Sequence, residues 1–368
     1  MKEIRAILEA YQKAEENQKM ALATVVRVEG SSYRRPGARM LVSENGNWVG
    51  GISGGCLEGD ALRKAKLAIL KDKPSLITYD TTEDDAQQIG VGLGCNGIID
   101  VLIAPLDDGQ PNPIRLLENC MHSRMPQILL TVTQVEGHFA TLGMGSMHHY
   151  TNEERLREHI QHDLLADRLL EGISAALEQE RPLTQTYELE EGHLTYFIEY
   201  LPPALHLYLF GGNYDVFPMA QLAKDIGHLV TVVANPAKLS RSLFRLADQV
   251  LPKDGDITID QHTACILMAH DYKTDMNNLQ KLLQTDVPYI GMLGPRKRTN
   301  KMLSAFAERG IQLDDADHER LHSPVGLDIG ATSPEEIALS ILAEIRAYFA
   351  GRQGGFLKER KGTIHERI

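Results

Sequence analysis

The sequence predicts an α/β protein of two domains, the second built on a doubly wound parallel sheet. Three observations carry this expectation. The chain has 368 residues, and at roughly 150 residues per domain that length suits two domains with room for a third. From Leu205 onward short apolar runs alternate with helical patterns, as happens when parallel strands are buried beneath helices on both faces. Just before that alternation stands Leu201-Pro202-Pro203, and consecutive prolines break helix and strand alike. The expected division is an N-terminal α+β domain over residues 1–201, with a helix and hairpin inserted over about 126–201, then a doubly wound domain over 202–350 and a tail over 351–368.

In chain order, Ile4, Ile7, Leu8 and Tyr11 fall at i, i+3, i+4 and i+7 and predict an opening amphipathic helix. Ala21–Val28 is rich in β-formers, and a short strand and hairpin follow through Met40–Trp48. Cys56–Leu70 reads as helix, and Ile98–Ala104 and Ile128–Val135 as buried strands. Glu153–Leu177 predicts one helix, with Leu156, Ile160 and Leu164 on one face. Leu183–Tyr200 predicts a β-hairpin turning at Glu190–Gly192. In the second half the strands are Leu205–Phe210, Leu229–Val233, Ala264–Met268 and Val287–Leu293. Ser333-Pro334-Glu335-Glu336 is a capping box with proline at the first helical position, and Ile337, Ile341 and Ile345 line the helix it opens.

Composition excludes several classes of function. Apolar residues make up 43% and charged residues 24%, which suits globular cores rather than disorder. The net charge of −12 opposes general nucleic-acid binding and docking on an anionic membrane. No run reaches the ~20 apolar residues of a spanning helix, and the N-terminus shows no signal peptide. A cytoplasmic location is therefore expected. The four cysteines, Cys56, Cys95, Cys120 and Cys265, show no paired zinc spacing, and reduced thiols are expected in that compartment. His148, His149, His159 and His162 lie close in sequence but show no carboxylate–histidine pattern. A solvated helix is the expectation there, and no residue is assigned to a metal.

Five stretches can carry chemistry. In Gly50-Gly51-Ile52-Ser53-Gly54-Gly55-Cys56-Leu57-Glu58 four glycines precede a helix with a cysteine at its start. Helix N-termini attract anions and favour a thiolate, and glycine lets a ligand approach the backbone. A tight turn with a small buried cysteine is the plainer reading. Gly92-Leu93-Gly94-Cys95-Asn96-Gly97 places a second cysteine among glycines, and a disulfide between Cys56 and Cys95 is the competing structural account. Arg34, Arg35 and Arg39 share the turn Gly30–Arg39 with two serines. Guanidinium forks there suit a phosphate or carboxylate, although a solvated loop whose arginines pair with acids explains them equally well.

The fourth stretch, Gly211-Gly212-Asn213-Tyr214-Asp215-Val216, follows a strand and opens a helix, as a Rossmann-like dinucleotide turn does. The second motif glycine is Asn213 and the third is Val216, and the next strand runs into Asn235 rather than a ribose-binding acid. The turn therefore predicts the fold while predicting weak or absent NAD(P) binding. The fifth comprises the strand ends Met268-Ala269-His270-Asp271 and Gly291-Met292-Leu293-Gly294-Pro295-Arg296-Lys297-Arg298. Doubly wound sheets bind ligands at that edge, and basic residues at a helix start suit an anion. Ordinary helix-start residues and a capping histidine are the alternative.

Together these stretches resemble the XdhC/CoxI family of xanthine dehydrogenase accessory factors, over nearly the whole chain. The family's Gly-Ser-Ser-x-x-Arg-x-x-Gly-Ala-Arg-Met turn is Gly30–Met40 here. Its Gly-x-x-Ser-Gly-Gly-Cys-x-Glu run is Gly50–Glu58, with one extra glycine, and its Gly-Leu-Gly-Cys-x-Gly is Gly92–Gly97. In the second half the matches are His270-Asp271, Ile290–Arg298, Pro324–Ala331 and Pro334–Ala338. Relatives usually keep a Gly-x-Gly turn and often an aspartate after the second strand, where this chain has Asn213 and Asn235.

The resemblance implies a Rossmann-like second domain. It also implies a chaperone role: binding the molybdenum cofactor (molybdopterin), and helping its sulfuration and insertion into a xanthine dehydrogenase-type molybdoenzyme. A cysteine desulfurase is the implied sulfur donor, and a homodimer the expected assembly. On this reading the cofactor-binding set is Arg34, Arg35, Arg39, Ser53, Gly54, Gly55, Cys56, Glu58, Gly94, Cys95, Gly211, Gly212, Asp215, His270, Asp271, Gly294, Arg296 and Arg298. Cys56 and Cys95 are the candidate thiols, expected to face one cleft. The two arginine clusters are expected to share one crevice with His270 and Asp271 on its rim. An NAD(P)-dependent oxidoreductase, and a non-catalytic scaffold between molybdoenzyme and sulfur donor, remain the alternatives.

Overall fold

The computed structural model describes residues 2–15, 17–82, 97–106, 112–139 and 142–361. The loop Gly92–Asn96, with Gly94 and Cys95, lies outside the described residues. The described residues divide into two compact units, one over 3–203 and one over 204–361.

The first unit runs α1 (Lys2–Gln12), β1 (Met20–Gly30), β2 (Arg39–Ser43), β3 (Trp48–Gly50), α2 (Glu58–Lys71), β4 (Ser75–Asp80), β5 (Gly97–Leu106), α3 (Pro113–Met121), β6 (Gln127–Gly137), β7 (Met147–Tyr150), α4 (Glu153–Ile160), α5 (Asp163–Glu178), β8 (Leu183–Leu189) and β9 (Gly192–Leu201). Two sheets form, ordered β3-β2-β1-β5-β4 and β7-β6-β9-β8, and all their pairings are antiparallel. Alternate residues of β1, including Ala21, Ala23 and Val25, pack with Ala61, Ala65 and Ile69 of α2, since successive side chains of a strand point to opposite faces of its sheet. The opening helix lays Ile4, Ile7 and Leu8 against Leu22, Leu41 and Leu117.

Two expectations for this unit change. The single helix over Glu153–Leu177 is two helices, because Gln161 turns left-handed at φ 51° and His162 starts the second, its Nδ1 accepting from the Leu165 N–H at 3.2 Å. The four-residue spacing of Leu156, Ile160 and Leu164 runs across the break and so gave no sign of one, yet Leu164 is half exposed and the second helix buries Leu165 and Leu169 instead. The histidines also do not lie on one solvated helix. His148 and His149 sit on β7, and the His148 ring stacks on that of His159 at 4.0 Å. Burial lowers the His148 pKa to about 4. Among the described residues no group of three or more metal-binding side chains forms.

The second unit runs β10 (His206–Phe210), α6 (Val216–Asp225), β11 (Leu229–Val233), α7 (Arg241–Leu246), β12 (Gln249–Leu251), β13 (Thr263–Leu267), α8 (Tyr272–Leu283), β14 (Tyr289–Met292), α9 (Arg296–Glu308), α10 (Asp315–Arg320), β15 (Leu321–His322) and α11 (Pro334–Phe349). Its six strands are ordered β12-β11-β10-β13-β14-β15 and all pair in parallel. Alternation along each strand feeds two cores. Leu207, Leu209, Val230, Val232 and Ile266 pack beneath α6 and α11, while Tyr208, Phe210, Cys265, Leu267 and Ile290 pack beneath α8 and α9. This is the α/β doubly wound sheet expected from the sequence. Its strand order reverses between β10 and β13, the switch point at which such sheets leave a crevice outside their carboxyl ends. The capping box that starts α11 is present, with Ser333 and Glu336 bonding reciprocally.

Candidate functional site

In the first unit the Gly50–Glu58 loop is organised by Ser53. Its Oγ accepts the N–H groups of Gly55, Cys56 and Leu57 at 3.2, 3.1 and 3.0 Å, and its own N–H and hydroxyl both donate to the Glu58 carboxylate. Ser53 thus takes up the N–H groups just ahead of α2, whose N-cap residue Leu57 makes no side-chain cap bond. Burial raises the Glu58 pKa, but the bonds from Ser53 outweigh it and hold the carboxyl below the ordinary range. What the loop leaves open is its tip. Cys56 is exposed, a methyl group at Gly55 would meet nothing within 4 Å, and one at Gly54 would lie 3.3 Å from the Tyr33 ring, itself 73% exposed.

The three arginines of the Gly30–Arg39 turn part company. Arg39 is buried and forms a two-pronged ion pair with Glu199 on β9, one arm at 2.8 Å, while the same arm also donates to the Gly37 carbonyl. It binds the two sheets of the unit to one another and is removed from the set available to a ligand. Arg34 pairs with Glu3. Arg35 is exposed, and among the described residues no ion pair holds it. Nothing in the local sequence marks Glu3 or Glu199 as partners, which lie 31 and 160 residues from their arginines.

In the second unit Gly211 and Gly212 are required by packing. A methyl group on Gly211 would lie 2.5 Å from the Met268 carbonyl oxygen, and one on Gly212 2.7 Å from Leu239. Asn213 donates from Nδ2 to the Ala269 carbonyl at 3.1 Å. The N–H groups of Val216 and Phe217 go to the carbonyls of Asn213 and Tyr214. Asn235 caps a short 3-10 turn. Asp215 ends this turn and is 9% exposed. Its Oδ2 meets His270 Nε2 at 2.6 Å, while its Oδ1 is buried with no hydrogen-bond partner. His270 holds a left-handed backbone at φ 58°, which is uncommon for a non-glycine residue and concentrated at functional sites.

The remaining expected site residues divide. Arg298 is committed to the buried Asp275 at 2.6 Å. Burial raises the Asp275 carboxyl, opposed by the Ala269 N–H and by Arg298. Asp271 caps α8 by accepting the Thr274 N–H, a bond that lowers its pKa. Arg296 and Lys297 are exposed and in no ion pair among the described residues. Asp215, His270 and Gly294 do come together, around a cavity of about 190 Å³ at the switch point.

Comparison with known proteins agrees with this layout. Residues 14–80 match the family model described as the XdhC and CoxI family, and residues 207–345 match the XdhC Rossmann domain. A Bacillus subtilis (strain 168) protein named as a probable xanthine dehydrogenase subunit is 32% identical over 342 residues, 90% of this chain and 93% of that protein. The Escherichia coli (strain K12) "Molybdenum cofactor insertion chaperone PaoD" is 23% identical over 324 residues, 88% of this chain and 81% of its own. A crystal structure described as a xanthine dehydrogenase from Bacillus halodurans aligns with TM-score 0.71 at 28% identity, covering 97% of this chain and 98% of that one. With matched motifs in both units and a relative similar along its length, the chain belongs to the XdhC/CoxI family.

Proposed function

We propose that this protein carries the molybdenum cofactor, as cargo, to a xanthine dehydrogenase-type molybdoenzyme and assists its sulfuration and insertion. Similarity to a molybdenum cofactor insertion chaperone supports the class of cargo. The observation that carries the reading is the loop tip of the first unit: an exposed Cys56 beside Gly55, where a methyl group would meet nothing within 4 Å. A thiolate is a soft ligand suited to a thiophilic metal or to holding sulfur, and the open tip admits a bulky group. Arg35 is the cation we assign to the cofactor phosphate in this unit, since Arg34 and Arg39 are engaged by Glu3 and Glu199. Arg296 and Lys297 are the corresponding uncommitted cations of the second unit. Cys120 and Cys265 are buried, and burial pushes the Cys120 thiol up to about 12, which suits packing rather than chemistry.

The oxidoreductase reading is less favoured on the same geometry. A dinucleotide needs backbone room at the glycine turn and an acid for the ribose. Here the glycines abut the protein's own atoms, and the Asn235 side chain caps its own turn. The Asp215 carboxylate also stands near the start of α6, where a pyrophosphate would sit.

Anaerobic purification, followed by extraction of bound pterin and molybdenum, tests the reading. The wild type should retain both. Arg35→Ala should lose cofactor several-fold with an unchanged melting temperature, and Cys56→Ser should abolish support of target-enzyme sulfuration. Purified protein free of pterin and molybdenum, together with low-micromolar binding of any nicotinamide dinucleotide, would replace the carrier with an oxidoreductase.

A further inference from the structure

We propose that the switch-point cavity of the second unit is a base-recognition pocket for the 2-amino-4-oxopyrimidine edge shared by pterins and guanine, read by the Asp215 carboxylate. The assignment deepens the carrier reading and rests on it for the choice of pterin as the natural source.

Four observations point to this ligand. The first is size. The cavity holds about 190 Å³, larger than the ~150 Å³ that accepts benzene and smaller than the roughly 300–1,000 Å³ of pockets for drug-sized ligands. It suits one fused ring system rather than a dinucleotide. The second is the apolar wall. Met219, Met268, Leu293 and Ile337 line it, and such side chains cover the faces of a flat ring, methionine sulfur contacting aromatic systems favourably.

The third is the sign of the polar atoms. Of the polar side chains lining the cavity, Asp215 presents a carboxylate, the Thr332 hydroxyl already gives its proton to Glu336 at 3.0 Å, and Tyr214, 80% exposed, keeps its side chain largely in water. His270 turns Nε2 to Asp215 at 2.6 Å, and because a carboxylate only accepts, that nitrogen is the donor of the bond. No lysine or arginine is among the described residues lining the cavity, so it does not suit a phosphate. The Asp215 carboxylate suits a ligand that brings N–H donors.

The fourth is the orphan oxygen. Asp215 Oδ1 is buried without a donor, a state that costs free energy and calls for a partner. A carboxylate has about four lone-pair sites. Oδ1 and the second lone pair of Oδ2 together match the adjacent ring N–H and exocyclic NH₂ of an aminopyrimidinone. His270 then acts as a positioning residue that fixes the carboxylate's rotation. The protein would thus read the ring end of its cargo here, with a carboxylate, and use cations elsewhere for the phosphate.

Fluorescence titration with free pterin, which carries neither molybdenum nor phosphate, tests the pocket on the full chain. Guanosine, lumazine (the 2-oxo analogue of pterin) and adenosine serve as comparisons. Pterin should bind the wild type, and Asp215→Asn, which turns an NH₂ toward the ligand's donors, should weaken it by at least about tenfold. Ile337→Trp, which fills the cavity, should weaken it similarly, so that the result does not depend on one variant folding; melting is measured for both. Pterin binding tighter than guanosine identifies the cofactor as the source, and the reverse identifies a guanine nucleoside; either supports the recognition chemistry. Equal binding of lumazine and adenosine, wild-type affinity in Asp215→Asn, or no binding of pterin or guanosine would overturn the proposal. Cofactor that co-purifies with a protein unable to bind free pterin would sink the pocket and spare the carrier. Pterin binding without co-purified molybdenum cofactor would do the opposite.

Discussion

The loops Gly50–Glu58 and Gly211–Asp215 look alike on paper: glycines, then an acid, then a helix. They are built for different ends. At Gly55 and Gly59 a methyl group would meet nothing within 4 Å, whereas at Gly211 it would strike a backbone oxygen. The acids differ in the opposite sense. Both oxygens of Glu58 accept hydrogen bonds from Ser53, while one oxygen of Asp215 has no donor. At the tip of the first loop the backbone leaves space, although at its base a methyl group on Gly50 would lie 2.3 Å from the Arg39 carbonyl oxygen, and the acid is structural. In the second the backbone is closed and the acid is left wanting a partner. Counting glycines therefore says little about where a ligand goes; what stands opposite each missing Cβ, and which polar atoms are unsatisfied, says more.

The largest expected effect falls on the anchor beneath the first loop. Arg39 receives the Gly51 N–H on its carbonyl at 2.8 Å, and its side chain pairs with Glu199. Removing one partner of a buried pair strands the other charge, at a cost of about 3–5 kcal/mol. Denaturant unfolding of Glu199→Ala should show a loss of that size. A loss below about 1 kcal/mol, the range of exposed pairs, would mean that the pair is open to water and that the first loop has no rigid base.

The glycines come next. Gly211→Ala should cost roughly 1–3 kcal/mol or more, the range for overpacking, because backbone is what it meets. Gly59→Ala, in the first turn of α2 with open space around it, should instead stabilise by about 0.5–1 kcal/mol through helix propensity. Thermal melts of the two variants should move in opposite directions, and movement in the same direction would dissolve the contrast between the loops.

Ser53→Ala should have a smaller effect, about 0.5–2 kcal/mol as for a lost helix cap, and should change the acid limb of the stability profile. The folded Glu58 has a lowered pKa, so its contribution is full above the unfolded value of about 4.3 and is lost as the pH falls through the folded value. Without Ser53 that acid-dependent part should shrink. A stability profile below pH 4.3 identical to that of the wild type would show that Ser53 does not hold the carboxylate.

Much of the fold was legible because it rests on local pattern. The strand–helix alternation after Pro203 and the Ser333 capping box follow from short-range periodicity and capping chemistry, and both are present. The break at Gln161 was not legible, because Leu164 continues the four-residue spacing of Leu156 and Ile160 in sequence although it is exposed in the structure. Strand β7 hid among histidines, whose burial comes from packing against distant elements.

For the site, sequence determined which residue types gather at the strand ends and which family they belong to, since those are properties of order and spacing along one chain. Only the tertiary structure decided how each charge is used. Arg39 is neutralised by a glutamate 160 residues away, Arg298 by Asp275, and Asp215 meets His270 across 55 residues. The reason is physical: a charge's availability to a ligand depends on its nearest opposite charge and on water, and folding sets both by bringing distant segments within a few ångströms.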